Sequence, residues 1–297
     1  MKICFFNDIT ILGGGELWVL KAVEKLRLSG HEPHVICPWR SHLYHECLQR
    51  KIPVYGYQRG GGIPFYEPTS FYLRKHKIDI LYCTIIGQFN EARVLGTMVQ
   101  ELNQEREAHE RILLYLKTGL PPMGISVDHY GLGTGAHVPA LHVVSEEVRA
   151  AFLDWCPALG ENFVCTQLEG VDLEKFSGQQ IDRSTAKEYW GYADERPVIT
   201  NLARLHPLKG QDNLLLATPA ILKEYPDAVF LFAGTGGEEE RLKRLAKHLD
   251  IDYAVRFLGH IEEVPLLLAA TAVLCHPSLS DGMPNSIVES MAMEIPV

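Results

Sequence analysis

The residues best placed to do chemistry lie near the carboxyl end, in SLSDGMPNSIVESMAM. The Asp-Gly turn and Pro284 predict the start of a helix, where unpaired backbone amides and the helix dipole suit a phosphate. The amides expected there belong to Gly282, Met283, Asn285 and Ser286. Asp281 and Glu289 are acceptors suited to sugar hydroxyls, and Asn285 shares a helical face with Glu289. Taken alone, the segment is more typical of an Asp-Gly turn that caps an amphipathic helix with one exposed glutamate.

A second candidate group consists of Arg204 and Lys209 in NLARLHPLKGQDNLL. They follow a predicted strand, and two cations at the carboxyl end of a parallel strand suit a diphosphate. The planar guanidinium of Arg204 would bind oxygens in pairs, whereas Lys209 would act as a point charge. The alternative is a solvated loop that happens to carry two basic residues.

A third candidate is the glycine run Gly13, Gly14 and Gly15, between the first predicted strand and a helix begun by Glu16. Backbone amides of Gly14 and Gly15 could approach a ligand at that helix start. The run is not a G-x-G-x-x-G motif, and a tight strand-to-helix turn explains it as well.

These residues need a scaffold, and the sequence predicts one by alternating short apolar runs with segments of helical period. Runs that are apolar on both faces and are separated by helices predict parallel strands covered on both sides. Seven such runs lie at 2–7, 33–38, 52–57, 78–84, 111–116, 140–145 and 162–167, and four more at 197–203, 228–234, 254–259 and 272–278. The helices predicted between the runs include SEEVRAAFLDW, capped by Ser145, and ILKEY at 221–225. The polar stretch at 172–196 interrupts the pattern. We therefore expect two doubly wound α/β domains, at 1–175 and 176–297, with ligands bound where their strand ends face a cleft.

The amino-acid composition excludes several classes of protein. With 46% hydrophobic and 22% charged residues among 297, the chain can bury a sizeable core. A net charge of −9 argues against nucleic acid as a partner. The seven cysteines show no zinc-type spacing, so we expect no metal site and a cytoplasmic chain with reduced thiols. Peripheral membrane contact stays open.

In order and spacing, several segments resemble the carboxyl domain of family 4 retaining glycosyltransferases: NLARLHPLKGQDNLLLA, AVFLFAGTGGEEERLKRLA, VRFLG and HPSLSDGMPNSIVESMAMEIPV. In the amino half, GGGELWVLKAVEKLRLSGHEPHVIC is similar to the glycine loop and first helix of that family. The resemblance implies the GT-B fold of two Rossmann-like domains, the first for the acceptor and the second for a nucleotide sugar. That donor is a substrate, and the fold needs neither a cofactor nor a metal.

Carried onto this sequence, the resemblance makes Arg204 and Lys209 the cations on the donor diphosphate. Glu289 becomes the carboxylate on the ribose. Asp281 stands where the family usually has the first Glu of E-x7-E, which holds hydroxyls of the transferred sugar. The implied reaction moves that sugar to a glycan, lipid or small-molecule acceptor with retention of configuration.

Two departures from the family pattern keep other functions open. Lys117 stands where many relatives have a histidine, and the sequence stops at Val297, where relatives continue, so we expect a truncated second domain and weakened activity. His276 is interpreted as structural, and His129, His137 and His142 as surface or packed residues. The alternatives are a noncatalytic protein that binds a sugar nucleotide or a partner, and a nucleotide-sugar epimerase.

Overall fold

The computed structural model describes residues 1–10, 13–58, 65–85, 90–119, 140–177, 181–192 and 195–297. The chain divides into two compact units, Met1–Leu168 and Glu169–Val297. Phe176, in the segment between the last strand of the first unit and the first helix of the second, packs with Leu268, Leu274 and Met293. This segment therefore belongs to the core of the second unit.

The first unit contains a parallel sheet of seven strands in the order β3-β2-β1-β4-β5-β6-β7. The strands are β1 Lys2–Phe6, β2 Glu32–Pro38, β3 Val54–Tyr57, β4 Ile80–Ile85, β5 Leu113–Thr118, β6 Leu141–Val143 and β7 Val164–Thr166. The helices are α1 Gly14–Leu28, α2 His42–Gln49, α3 Tyr66–His76, α4 Asn90–Gln104 and α5 Glu146–Trp155. Ser145 begins α5 as predicted, because its side chain accepts a hydrogen bond from the Val148 amide at 3.3 Å.

The second unit contains a parallel sheet of four strands in the order β10-β9-β8-β11. The strands are β8 Val198–Leu202, β9 Val229–Ala233, β10 Val255–Gly259 and β11 Val273–Leu274. The helices are α6 Arg183–Tyr189, α7 Gln211–Glu224, α8 Glu239–His248, α9 Val264–Ala270 and α10 Asn285–Ala292. The chain runs from β8 to β9 on one side and places β11 on the other, so the strand order reverses between β8 and β11.

Both faces of the second sheet are covered, as the apolar runs predicted. On one face Phe230 and Phe232 pack with Leu215 and Leu242. On the other face Leu231 packs with Leu267. All five residues of β9 are buried, which explains why this strand shows no polar alternation.

All eleven predicted strands are present, but two elements differ in length from the prediction. The strand predicted at 272–278 is only Val273–Leu274, because the chain leaves the sheet at Cys275 to form the loop before α10. Conversely, α7 begins at Gln211, whereas the sequence predicted a helix only at 221–225. The helix continues through Pro219, which normally interrupts one.

Candidate functional site

The candidate site lies in the second unit, at the carboxyl ends of the neighbouring strands β8 and β11. The loop 203–210 follows β8, and the loop 275–284 follows β11. Parallel α/β sheets bind ligands at this place, where the strand order reverses and the loops diverge. Arg204 and Lys209 belong to the first loop, and Asp281 and Met283 belong to the second.

The two loops are held together by hydrogen bonds to main-chain carbonyl oxygens. The carbonyl oxygen of Leu208 accepts hydrogen bonds from the Leu279 amide at 2.8 Å and from Ser278 Oγ at 3.0 Å. Below them, Asn201 Nδ2 donates to the Cys275 carbonyl at 2.9 Å. The first two bonds link the loops to each other, and the third links the second loop to β8. The positions of Lys209 and Asp281 are therefore set jointly.

Gly210 ends the short 3-10 turn Pro207–Lys209 and has a left-handed backbone, with φ of +63°. A Cβ at this position would overlap the Pro277 carbonyl oxygen and lie 3.0 Å from its carbon. A glycine is therefore required both by conformation and by the close approach of the second loop.

A third loop, after β9, supports the first. The Leu205 amide donates to the Thr235 carbonyl at 3.0 Å. Gly234 and Gly236 lie so close to the carbonyls of Ala203 and Leu205 that neither position has room for a Cβ. The loop that carries Arg204 is consequently held between backbone on two sides.

The centre of the site is an ionic contact between Lys209 Nζ and Asp281 Oδ2. His276 Nε2 lies 3.0 Å from the same oxygen. The side chains of Lys209 and Asp281 are 19% and 22% exposed, so both are sheltered yet reachable by a ligand. Sequence spacing did not predict this pairing, because it assigned the two residues to different parts of the donor.

The ionisation of Asp281 follows from these contacts. Burial acts to raise the pKa of this carboxyl, but hydrogen bonds from His276 and Lys209, together with the charge of Lys209, hold the pKa below its ordinary value. Asp281 is therefore a carboxylate at neutral pH. Its Oδ1 accepts no hydrogen bond within the described part of the chain, and a carboxylate oxygen can accept more than one.

Arg204 lies on the same loop as Lys209 but is exposed. Its guanidinium forms no ion pair with any residue in the described ranges, whereas its backbone is fixed by Gln211. The buried Gln211 side chain donates to the Arg204 carbonyl at 3.0 Å and contacts Asn201 Oδ1 at 3.3 Å. The strand end thus presents one exposed cation beside a paired one.

The helix α10 begins at Asn285, as predicted, with Pro284 at the N-cap position. No side chain within the described ranges caps this end. Glu289 is half-buried on the next turn. Met283 is partly engaged already, since its sulfur lies 3.3 Å from the Glu169 amide.

In the first unit, Gly14 and Gly15 form the start of α1, and Gly13 is at the N-cap position. The neighbouring acid Glu16 is 2% exposed, and its Oε1 accepts from Asn7 Nδ2 at 2.9 Å. An added Cβ at Gly13 would lie 3.2 Å from Glu16 Oε2, so packing against this carboxylate accounts for at least one glycine of the run.

The cation at position 117 is buried against an aromatic ring. Lys117 is 6% exposed and its Nζ lies 3.6 Å from the centre of the Trp18 ring. On the neighbouring strand, burial and the charge of Lys117 lower the pKa of His142, whose Nδ1 lies 2.7 Å from the Tyr82 hydroxyl. His129 and His137 lie outside the described residues.

Sequence reasoning missed three residues that shape the site: His276, Asn201 and Gln211. The interpretation of His276 as structural overlooked its contact with Asp281. Asn201 and Gln211 are polar residues at a strand end and a helix start, but nothing in the sequence shows that both are buried.

In the described ranges no three His, Cys, Asp or Glu side chains are grouped as a metal site would require. No helix there has the length and apolar composition to cross a bilayer.

Comparison with known proteins gives a consistent set of similarities. Residues 182–297 match the family model described as Glycosyl transferases group 1. An uncharacterized glycosyltransferase of Haemophilus influenzae is 36% identical over 103 residues, which are 35% of this chain and 29% of that protein. A GDP-mannose-dependent monoacylated alpha-(1-6)-phosphatidylinositol monomannoside mannosyltransferase of Corynebacterium glutamicum is 34% identical over 43% of this chain and 36% of that protein. The chain thus matches about a third of the length of these curated relatives.

Solved structures resemble nearly the whole chain. HepE from Anabaena, in complex with UDP and glucose, superposes with a TM-score of 0.78 at 21% identity, over 100% of this chain and 80% of that one. A glycosyltransferase from Rickettsia africae gives 0.80 at 16% identity, over 99% of this chain and 77% of that one. At these identities the likeness concerns the fold. It confirms the predicted class, two Rossmann-like α/β domains of the GT-B type.

Proposed function

We propose that the second unit binds a nucleotide sugar and that the protein is a glycosyltransferase. The observation that carries the proposal is the meeting of Lys209 and Asp281, from two loops, beside the exposed Arg204 at the strand-order reversal of the second sheet. A cation pair next to a carboxylate matches a ligand with an anionic part joined to a hydroxyl-rich part. The similarity of this same region to glycosyl transferases supports the assignment.

The diphosphate of the donor would be bound by Arg204, Lys209 and the uncapped start of α10. Arg204 has its guanidinium available for paired oxygens, and Lys209 adds a point charge. At α10 the amides near Asn285 supply neutral donors at the positive end of the helix dipole. When the glycosidic bond breaks, negative charge grows on the leaving diphosphate, so these fixed groups stabilise the transition state more than the bound donor.

The sugar part of the donor would be bound by carboxylates. Asp281 would accept hydrogen bonds from hydroxyls of the transferred sugar, and Glu289 from those of the ribose, with Met283 and Asn285 alongside. Asp281 is one methylene shorter than the glutamate usual in family 4, but its loop is held against Lys209, which brings the carboxylate into the site.

We further propose transfer with retention of configuration to a hydroxyl of a glycan, lipid or small molecule. Gly14 and Gly15 of the first unit would serve the acceptor side through backbone amides. Because Arg204, Lys209 and helix amides supply the positive charge, the reaction needs no resident metal, and treatment with EDTA should leave it unchanged. The net charge of −9 speaks against nucleic acid as acceptor.

Binding of UDP, GDP and ADP, measured by calorimetry, tests the donor site. Arg204→Ala and Lys209→Ala should each reduce the binding free energy of the preferred nucleotide by about 1.5 to 3 kcal/mol. This is the contribution of a charge-assisted hydrogen bond. The matched controls are Arg244→Ala on α8 and Lys223→Ala on α7, both exposed and away from the loops. Unchanged affinity in both site variants would refute the assignment.

Turnover tests the chemistry. Incubation with the UDP- or GDP-sugar that binds, together with a panel of glycan, lipid and small-molecule acceptors, should give a glycoside whose anomeric configuration, read by NMR, equals that of the donor. Epimerisation of the donor without an acceptor would instead identify an epimerase. Donor binding without any transfer would identify a noncatalytic binding protein.

A further inference from the structure

We infer that His276 is a positioning residue that fixes the Asp281 carboxylate so that Oδ1 faces the transferred sugar. The inference rests on the proposed function, and it assigns a role to a side chain that the sequence indicated as structural. His276 follows β11, and its side chain is only 8% exposed. It is thus held inside the loop that carries Asp281.

The two carboxylate oxygens of Asp281 differ in their contacts. Oδ2 contacts both donors, His276 Nε2 at 3.0 Å and Lys209 Nζ. Oδ1 receives no hydrogen bond from any residue in the described ranges. Two donors on one oxygen fix the plane of the carboxylate and leave the other oxygen with its acceptor capacity for a ligand hydroxyl.

The histidine is itself oriented from its other side. Ser286 Oγ, in the first turn of α10, lies 3.5 Å from His276 Nδ1. An ionised carboxylate only accepts, so His276 Nε2 must carry the hydrogen in this contact. In the neutral ring, Nδ1 can then accept from Ser286, which links the helix start, the imidazole and the carboxylate in one line.

His276 matters most when the donor is bound. The diphosphate competes for the Lys209 ammonium, and any weakening of the contact between Lys209 and Asp281 leaves His276 as the remaining donor to Oδ2. We therefore expect His276 to affect the sugar part of the donor and to leave the nucleoside diphosphate part almost unaffected.

The experiment compares calorimetric affinities for a nucleoside diphosphate and for its sugar conjugate, using UDP with UDP-glucose or UDP-galactose, and GDP with GDP-mannose. His276→Leu should lower the affinity for the sugar conjugate about tenfold and the affinity for the diphosphate less than twofold. His276→Gln retains an amide donor and should recover most of the loss. His248→Leu, at the exposed end of α8, is the matched control and should change neither affinity.

A double-mutant cycle shows whether the effect passes through Asp281. In an Asp281→Asn background, His276→Leu should produce little further loss, because the carboxylate that it positions is gone. Additive losses, or equal losses for diphosphate and sugar conjugate, would overturn the inference. If His276→Leu fails to fold, His276→Ala, which also removes the imidazole donor, takes its place in the cycle.

The same measurements separate this inference from the proposed function. If Lys209→Ala lowers the affinity for the diphosphate while His276→Leu leaves the affinity for the sugar conjugate unchanged, only the role of His276 is wrong. If no nucleotide binds the wild-type protein, or if neither Arg204→Ala nor Lys209→Ala has an effect, the proposed donor site itself is wrong.

Discussion

Gly210→Ala should destabilise the second unit far more than an alanine at an equally left-handed glycine elsewhere. Both Gly210 and Gly191 have positive φ, of +63° and +76°. An alanine costs about 1 to 2 kcal/mol in this conformation. Around Gly191 no atom lies within 4 Å of an added Cβ, whereas at Gly210 the Cβ would overlap the Pro277 carbonyl. The difference between the two variants therefore isolates the contact between the loops.

The size of that difference follows from the bonds that the loops share. Relief of the overlap requires the backbone at Pro277 to move away. This movement would break three hydrogen bonds: those from Leu279 and Ser278 to the Leu208 carbonyl, at 2.8 and 3.0 Å, and that from Asn201 to the Cys275 carbonyl, at 2.9 Å. At about 1 kcal/mol for each bond, Gly210→Ala should cost about 3 kcal/mol beyond Gly191→Ala.

Hydrogen exchange followed by mass spectrometry can measure this cost in the intact chain. Amides of 198–202 and 229–233 report opening of the second sheet. A difference of about 3 kcal/mol corresponds to exchange about 100-fold faster in Gly210→Ala than in Gly191→Ala, at about 1.4 kcal/mol for each factor of ten. Amides of 2–6 in the first sheet serve as the internal reference. Equal exchange in the two variants would refute the loop contact at Pro277.

Three further outcomes are expected. Gln211→Leu should lower the free energy of unfolding by about 1 to 3 kcal/mol, because it leaves the Arg204 carbonyl and Asn201 without their donor. Urea unfolding measures this change, with the exposed Gln104→Leu as the control. An unchanged midpoint would contradict the prediction. Because the folded-state pKa of Asp281 is lowered, its contacts contribute stability that is complete above the unfolded pKa of about 4 and is lost as the pH falls through the lower folded value. Asp281→Asn should thus flatten the loss of stability in that acid range, while the exposed control Asp252→Asn should leave the slope as it is. Glu289→Gln should weaken nucleotide binding in calorimetry without lowering the melting temperature, and the reverse result would make Glu289 a structural residue.

Much of the fold could be predicted because buried parallel strands leave a strong signal. Runs such as AVFLFAG become fully buried strands, and Ser145 followed by two glutamates marks a real helix start. The beginning of α7 was missed because Pro219 normally ends a helix. In the structure, the Thr218 hydroxyl donates to the Leu214 carbonyl at 2.9 Å in the turn next to the proline.

The candidate site could be predicted only in part. Arg204, Lys209, Asp281 and Glu289 were identified by residue type and by resemblance, which act along the chain. The contacts of Asp281 with Lys209 and His276 depend on two loops meeting across β8 and β11, and local sequence does not encode that distance. Nor does local sequence reveal that Asn201 and Gln211 are buried, since both residue types are usually exposed.

The loops after β8, β9 and β11 are fastened mainly by carbonyls, amides and glycines, and this affects how the sequence can diverge. The tips of these loops carry Leu208 and Leu279, which are 42% and 69% exposed. Replacement of such side chains alters the surface offered to a ligand but removes little packing, so it costs little stability. Gly210, Gly234 and Gly236 have no such latitude. Ligand preference in this unit can consequently drift during evolution through the loop tips, while the glycines beneath them stay fixed.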